Sequence, residues 1–247
     1  MKVIHLTDIH LTRTKDQKMF NVNPYDNFDF VCQEISRIKE ISEIELIIVS
    51  GDITHDGDIE AYRYFLDKME SLKKPYFAIL GNHDLKENFD IVLAEEKREY
   101  IVNSKEYNHS NWHLMSVDTV VAGEDYGAIS KNNLAELERK LIEKSHLDLA
   151  IFMHHHAMPV GTPLVDSSKL NNGEALLALC EKYKVKFIGS GHAHNARIWH
   201  HNNMTVSVAP AVVFQWLPGI ETVEISQGFG FNIIDFSSDV SITSCIY

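Results

Sequence analysis

Short runs of aliphatic and β-branched residues recur at 3–6, 46–49, 76–80, 114–117, 149–153 and 185–188, with stretches of helical spacing between several of them. Runs of that length suit strands buried on both faces, and successive strands of this kind need crossover helices. The intervening pattern supplies them. Phe28, Cys32, Ile35 and Ile38 share one helical face, as do Tyr62, Phe65, Leu66 and Met69, and then Leu134, Leu137 and Leu141. An α/β chain with a largely buried sheet follows. Beyond Trp199 the pattern changes: residues 204–209, 229–236 and 240–246 read as strands separated by Gly, Pro or Ser turns, a more antiparallel portion. The simplest architecture is a β-sandwich of mixed sheets flanked by helices, in one domain over 1–247.

Composition narrows the function. A chain of 247 residues with 45% hydrophobic and 23% charged side chains has enough apolar surface for a real core. Its formal net charge of −12 would repel duplex nucleic acid, whereas bound divalent cations would still admit a small anionic substrate. Cys32, Cys180 and Cys245 are odd in number and far apart, which fits reduced thiols and a cytoplasmic location. No apolar stretch has the length of a membrane span or an export signal.

The informative residues are the polar ones that follow the apolar runs. Asp8 and His10 follow the first, Asp52 the second, Asn82 and His83 the third, His154 another, and His192 and His194 the run ending in Ile188. Taken singly these are weak signals. An Asp-x-His is equally a loop-capping aspartate beside a surface histidine, and Gly191-His192-Ala193-His194 is equally a solvated loop. Together they form a set, because loops beyond the carboxyl ends of strands in an open α/β sheet gather in one crevice. Carboxylate, amide and imidazole donors favour a transition-metal pair over calcium. If Asp52 bridges, its two oxygens can hold two ions roughly 3.5–4 Å apart, so that one ion activates water and both bind a phosphoryl oxygen.

The ordered residues Asp8-Ile9-His10, Gly51-Asp52, Gly81-Asn82-His83-Asp84, His154 and Gly191-His192-Ala193-His194 resemble the calcineurin-like metallophosphoesterase superfamily. Within it, His154 to Gly161, Asp166 and Pro210 to Gln215 are similar to class III cyclic-nucleotide phosphodiesterases of the CpdA (Icc) type. The resemblance implies a four-layer αββα sandwich with two mixed sheets. It implies two divalent ions, iron or manganese first and zinc or cobalt also accommodated. Asp8, His10 and His194 would hold one ion, Asn82, His154 and His192 the other, and Asp52 both. The implied reaction is hydrolysis of 3′,5′-cyclic AMP to 5′-AMP by attack of a hydroxide held between the ions. His83, a histidine outside the ligand set, would protonate the leaving oxygen or bond the phosphoryl group, and Asp84 would orient it. Substrate contacts are expected from His10, Asp52, Asn82, His83, His155 and His194.

Of the three tandem histidines, the first to leave the strand is the expected ligand, and His156 is expected to line the pocket. His5, His55, His109, His113, His146, His200 and His201 lack comparable context and are assigned to core or surface. Asp118 is read as a loop residue, and Phe214 and Trp216 as packing, although either ring could stack on a purine. Two other readings stand beside the first. One is a broad-specificity enzyme acting on glycerophosphodiesters or other diesters, and the other a non-catalytic scaffold, whose mark would be missing ligands. The oligomeric state is left open, a homodimer included.

Overall fold

The structure, a computed structural model, describes residues 1–38, 41–237 and 239–247. Strands β1 (Lys2–Leu6), β2 (Ile44–Ser50), β3 (Tyr76–Ile79), β12 (Gly230–Asp235) and β13 (Ser241–Ile246) form a five-stranded sheet in the order β13-β12-β1-β2-β3. Six more build a second sheet in the order β4-β5-β6-β7-β9-β8: β4 (Glu106–His109), β5 (Trp112–Ser116), β6 (Asp148–Phe152), β7 (Phe187–Ser190), β8 (Arg197–His201) and β9 (Met204–Val208). A short ribbon pairs β10 (Gln215–Trp216) with β11 (Ile225–Ser226). Both large sheets are mixed: the first is antiparallel on the β13-β12-β1 side and parallel on the β1-β2-β3 side, and the second has a parallel centre with antiparallel margins.

Alternation along each strand divides the core. Val3, Leu46, Ile48, Phe77 and Ile79 of the first sheet meet Trp112, Leu114, Ala150, Phe152 and Phe187 of the second in one buried cluster between the sheets. The intervening residues Ile4, Leu6, Ile47, Val49 and Ala78 face helices α1 (Pro24–Arg37), α2 (Ile59–Ser71) and α3 (Lys86–Glu95). On the far side Met115, Ile151, Ile188 and Val206 pack against α4 (Lys131–Glu143) and α6 (Gly173–Lys182), with the short α5 (Pro163–Asp166) before α6. The layers therefore run helix, sheet, sheet, helix. Asn23 and Asp58 start α1 and α2 by accepting first-turn amides, and Pro24 fits the first turn of α1 because its missing N–H has no helical partner there. Among the described residues no helix is long and apolar enough to cross a membrane.

The C-terminal strands are mostly antiparallel, as their turn-rich spacing suggests, but they make no unit of their own. Both β12 and β13 extend the first sheet beside β1, whereas β9 joins the second in parallel with β7. Within the two large sheets, two strands have no apolar run to announce them, β4 (EYNH) and β8 (RIWHH), and each lies at an edge of the second sheet. Edge strands keep polar side chains because one flank meets water.

Candidate metal centre

Five of the parallel strands deliver the polar residues to one edge of the sandwich. The loops are stitched together by their backbones: Asp8 N donates to Gly51 O at 3.0 Å, His10 N to Asp52 O at 2.9 Å, and Gly191 N to His154 O at 2.9 Å. Close approach explains two of the motif glycines. A β-carbon at Gly81 would overlap Asp52 Oδ1, and one at Gly191 would overlap Thr7 Oγ1 and crowd Asp8 Oδ2. Five of the seven expected ligands have left-handed backbones: Asp8 (φ 53°), His10 (51°), Asp52 (49°), His192 (66°) and His194 (44°). Each such residue costs roughly 1 kcal/mol, a strain that concentrates where function fixes a side chain's direction.

One group of donor atoms is a near-regular triangle. Asn82 Oδ1 lies 3.1 Å from His154 Nε2 and 3.1 Å from His192 Nδ1, and those two nitrogens are 3.3 Å apart. The opposite ring nitrogens are committed as donors: His154 Nδ1–H to Ser50 O at 2.8 Å, and His192 Nε2–H to Ser168 Oγ at 3.1 Å. That leaves the His192 Nδ1 lone pair facing the amide oxygen, and the His154 Nε2 lone pair as well once that ring gives up its second proton, so three ligand atoms converge on one point. Ligands held about 2.0–2.2 Å from a common cation are separated by roughly 3.0–3.4 Å, so the donor set fits a metal ion.

A second group adjoins it. His10 Nε2 lies 3.1 Å from His194 Nε2, and His194 Nε2 lies 3.5 Å from Asp8 Oδ1. His194 Nδ1–H donates to Phe214 O at 2.9 Å, again leaving Nε2 as the free donor atom. Asp52 joins the groups through one oxygen: Oδ2 is 3.4 Å from His10 Nε2 and 3.4 Å from His154 Nε2. Its other oxygen accepts the His83 amide at 3.0 Å, so in this structure one oxygen of Asp52, and not both, faces the two donor groups.

Burial and charge set the protonation states. Burial disfavours charge on Asp52, but the neighbouring His154 and His10 hold its carboxyl well below the usual range. Burial likewise pushes the His10 and His192 imidazoles well below their ordinary value, keeping them neutral. Burial also opposes charge on His154, but Asp52 outweighs it and pushes that ring up to about 9. A metal ion at this point would displace the His154 proton.

Residues 1–196 match the family model for calcineurin-like phosphoesterases. The chain belongs to that family. This phosphoesterase is 71% identical over 247 residues, the whole of both chains, to a Xenorhabdus bovienii (strain SS-2004) protein named as a probable cyclic nucleotide phosphodiesterase. It is 24% identical over 254 residues to the 3′,5′-cyclic adenosine monophosphate phosphodiesterase CpdA of Escherichia coli K12, covering 100% of this chain and 89% of the relative. Among solved structures, a dimetal phosphatase from Danio rerio superposes with a TM-score of 0.73 at 14% identity, over 98% of this chain and 95% of that one, a likeness of fold.

In the phosphoesterase, His10, Asp52, Asn82, His83, His192 and His194 line an open cleft of about 370 Å³, with Asp8 and His154 behind them. His83 Nδ1–H donates to His55 O at 2.9 Å. Asp84 does not orient His83 as expected. Its carboxylate accepts the amides of Ile53, Thr54 and Gly81 and the hydroxyls of Thr54 and Tyr62, tying the Asp52 loop to the Asn82 loop. Burial and then the Asp52 charge push Asp84 up to about 6, against the pull of those amides.

His155, an expected substrate contact, is buried, with Nδ1 bonded to Thr119 Oγ1 at 2.8 Å and Nε2 to Asp125 O at 3.2 Å. Its ring backs His192, with 4.5 Å between centroids, so it supports that ring rather than facing the cleft. His156 is also buried, beside Asp166 at 3.3 Å, and does not line the pocket. Two residues beside the donor groups escape sequence reasoning. His55 lines the cleft and stacks on His83 at 5.0 Å and 19°, and its place three residues beyond Asp52 is the only sequence signal for it. Ser168 fixes His192 from a loop that carries no signal at all. Phe214 and Trp216, read as packing, line the cleft as well.

Proposed function

We propose that this phosphoesterase hydrolyses 3′,5′-cyclic AMP to 5′-AMP and uses two divalent transition-metal ions, iron or manganese, for the purpose. The observation that carries the reading is Asp52 Oδ2, 3.4 Å from a histidine nitrogen of each donor group. Asp8, His10 and His194 would hold one ion and Asn82, His154 and His192 the other. When bound, the pair supplies an acidified water and positive charge opposite the phosphoryl oxygens. The names of the relatives favour a cyclic nucleotide as substrate.

The chain's own residues do the positioning. Asp52 and Asp8 set the negative charge of the site, and the anchored tautomers of His154, His192 and His194 aim their free nitrogens inward. With Nδ1–H given to the His55 carbonyl, His83 can carry a further proton on Nε2 and pass it to O3′ as the oxygen of a water bonds to phosphorus and the P–O3′ bond breaks. The ester bond to O5′ remains, which leaves 5′-AMP. Protein reconstituted separately with iron, manganese and zinc should turn over cyclic AMP with a higher kcat/KM than cyclic GMP or glycerophosphocholine. Hydrolysis of glycerophosphocholine with no turnover of either cyclic nucleotide would overturn the assignment.

A further inference from the structure

Besides its polar side chains and the aliphatic Met19, Leu164, Val165 and Val223, the cleft is lined by an aromatic patch, Phe20, Phe214 and Trp216. A dialkyl phosphate has no need of such a surface. Phe20 sits at the tip of a two-residue turn in which Met19 and Val22 exchange both backbone hydrogen bonds, at 2.9 and 2.8 Å. Phe20 and Asn21 both have positive φ, 49° and 67°, the pattern of a type I′ hairpin turn. Asn suits its place there, but a bulky ring at the first position is strained. That strain is not offset by core burial, because Phe20 keeps 47% of its surface exposed. A strained and exposed aromatic at the mouth of a reactive cleft points to ligand contact.

The rest of the patch is fixed to the metal-ligating loops. Val213 N donates to Asp8 O at 3.1 Å, Trp216 N to His194 O at 2.8 Å, and Asn27 Nδ2 to Val213 O at 2.8 Å. The Trp216 ring lies 5.5 Å from that of His194. Phe20 meets Phe214 at 5.3 Å and 85°, and Trp216 at 5.7 Å and 79°. Such T-shaped contacts leave ring surface open, where a closed stack would cover it. The distance from the ion ligands to the aromatic surface is therefore set by backbone bonds, as a substrate carrying both a phosphate and a ring requires.

We infer that Phe20 and Trp216, backed by Phe214, form the stacking surface for the heterocyclic base of a nucleoside cyclic phosphate. The inference rests on the cyclic-nucleotide reading and adds the residues that separate such substrates from ring-less diesters. Base–aromatic stacking makes truncation of Phe20 worth about tenfold. Phe20→Ala should lower kcat/KM for cyclic AMP about tenfold and change that for glycerophosphocholine less than twofold, with Phe20→Tyr restoring the cyclic AMP value. In a binding titration on the same proteins, Phe20→Ala should weaken 5′-AMP by a similar factor and leave ribose 5-phosphate unchanged. An undiminished cyclic AMP value in Phe20→Ala, or an equal fall for both diesters, overturns the inference while the substrate assignment stands. If the wild-type protein hydrolyses no cyclic nucleotide, that assignment fails first. The binding titration then decides alone: 5′-AMP held no tighter than ribose 5-phosphate ends the inference, and tighter binding that depends on Phe20 upholds it.

Discussion

Asp52 Oδ1 accepts the backbone N–H of His83 at 3.0 Å, and this bond leaves Oδ2 as the oxygen of that carboxylate that faces both donor groups. An amide at position 52 has a single oxygen and cannot serve the His83 amide and the shared position together. In Asp52→Asn, elemental analysis should show both ions depleted, and kcat/KM should fall about a thousandfold, equivalent to roughly 4 kcal/mol. Full metal content in this variant would count against the shared-oxygen arrangement.

His83 touches the site by its backbone N–H and cleft-lining ring and belongs to neither donor group. His83→Ala keeps the backbone amide and removes only the imidazole. The expected result is kcat lowered by about 10²–10³ with metal content unchanged. Unchanged turnover would remove the residue from the reaction.

Ser168 holds His192 through Nε2–H and so selects the tautomer whose Nδ1 is free. Ser168→Ala should weaken metal binding about 10–100-fold, read by competition with a chelator, with little change in thermal stability. Equal chelator sensitivity in wild type and variant would show that the tautomer is set by other contacts.

His5 lies between the sheets, with Nε2 bonded to Ser50 Oγ at 2.7 Å and its ring edge-on to Phe152 at 5.1 Å. Burial pushes it down to about 3 from 6.5, so between those values protons bind the unfolded chain in preference. The stability it contributes is complete above pH 6.5 and is lost as pH falls toward 3, at up to about 1.4 kcal/mol per pH unit. His155, also pushed down to about 3 by burial, adds to the same slope. Denaturant unfolding of the metal-free protein between pH 6.5 and 4.5 should give a shallower slope for His5→Leu than for wild type. Identical slopes would exclude His5 as a contributor.

Much of the site is legible in the sequence because each expected ligand directly follows an apolar run, and strand ends in a parallel sheet share an edge. His55 has no run of its own and enters the cleft only because the Asp52 loop turns back under His83. Asp84 misleads for the opposite reason: adjacency suggests a partnership with His83, whereas three buried amides claim its oxygens. The tandem histidines look equivalent in sequence, and only the partners Ser50, Thr119 and Asp166 assign them different surroundings. In the fold, central strands declare themselves by continuous apolar residues, while β4 and β8 are polar because they lie at sheet edges. The strained turn at Phe20 depends on backbone angles that Met-Phe-Asn-Val does not reveal.

The most direct test of the account is anomalous diffraction from crystals of the manganese-loaded protein. Two peaks are expected, one among Asp8, His10 and His194 and one among Asn82, His154 and His192, with Asp52 Oδ2 shared between them. A single peak, or two peaks of which Asp52 touches only one, would contradict it.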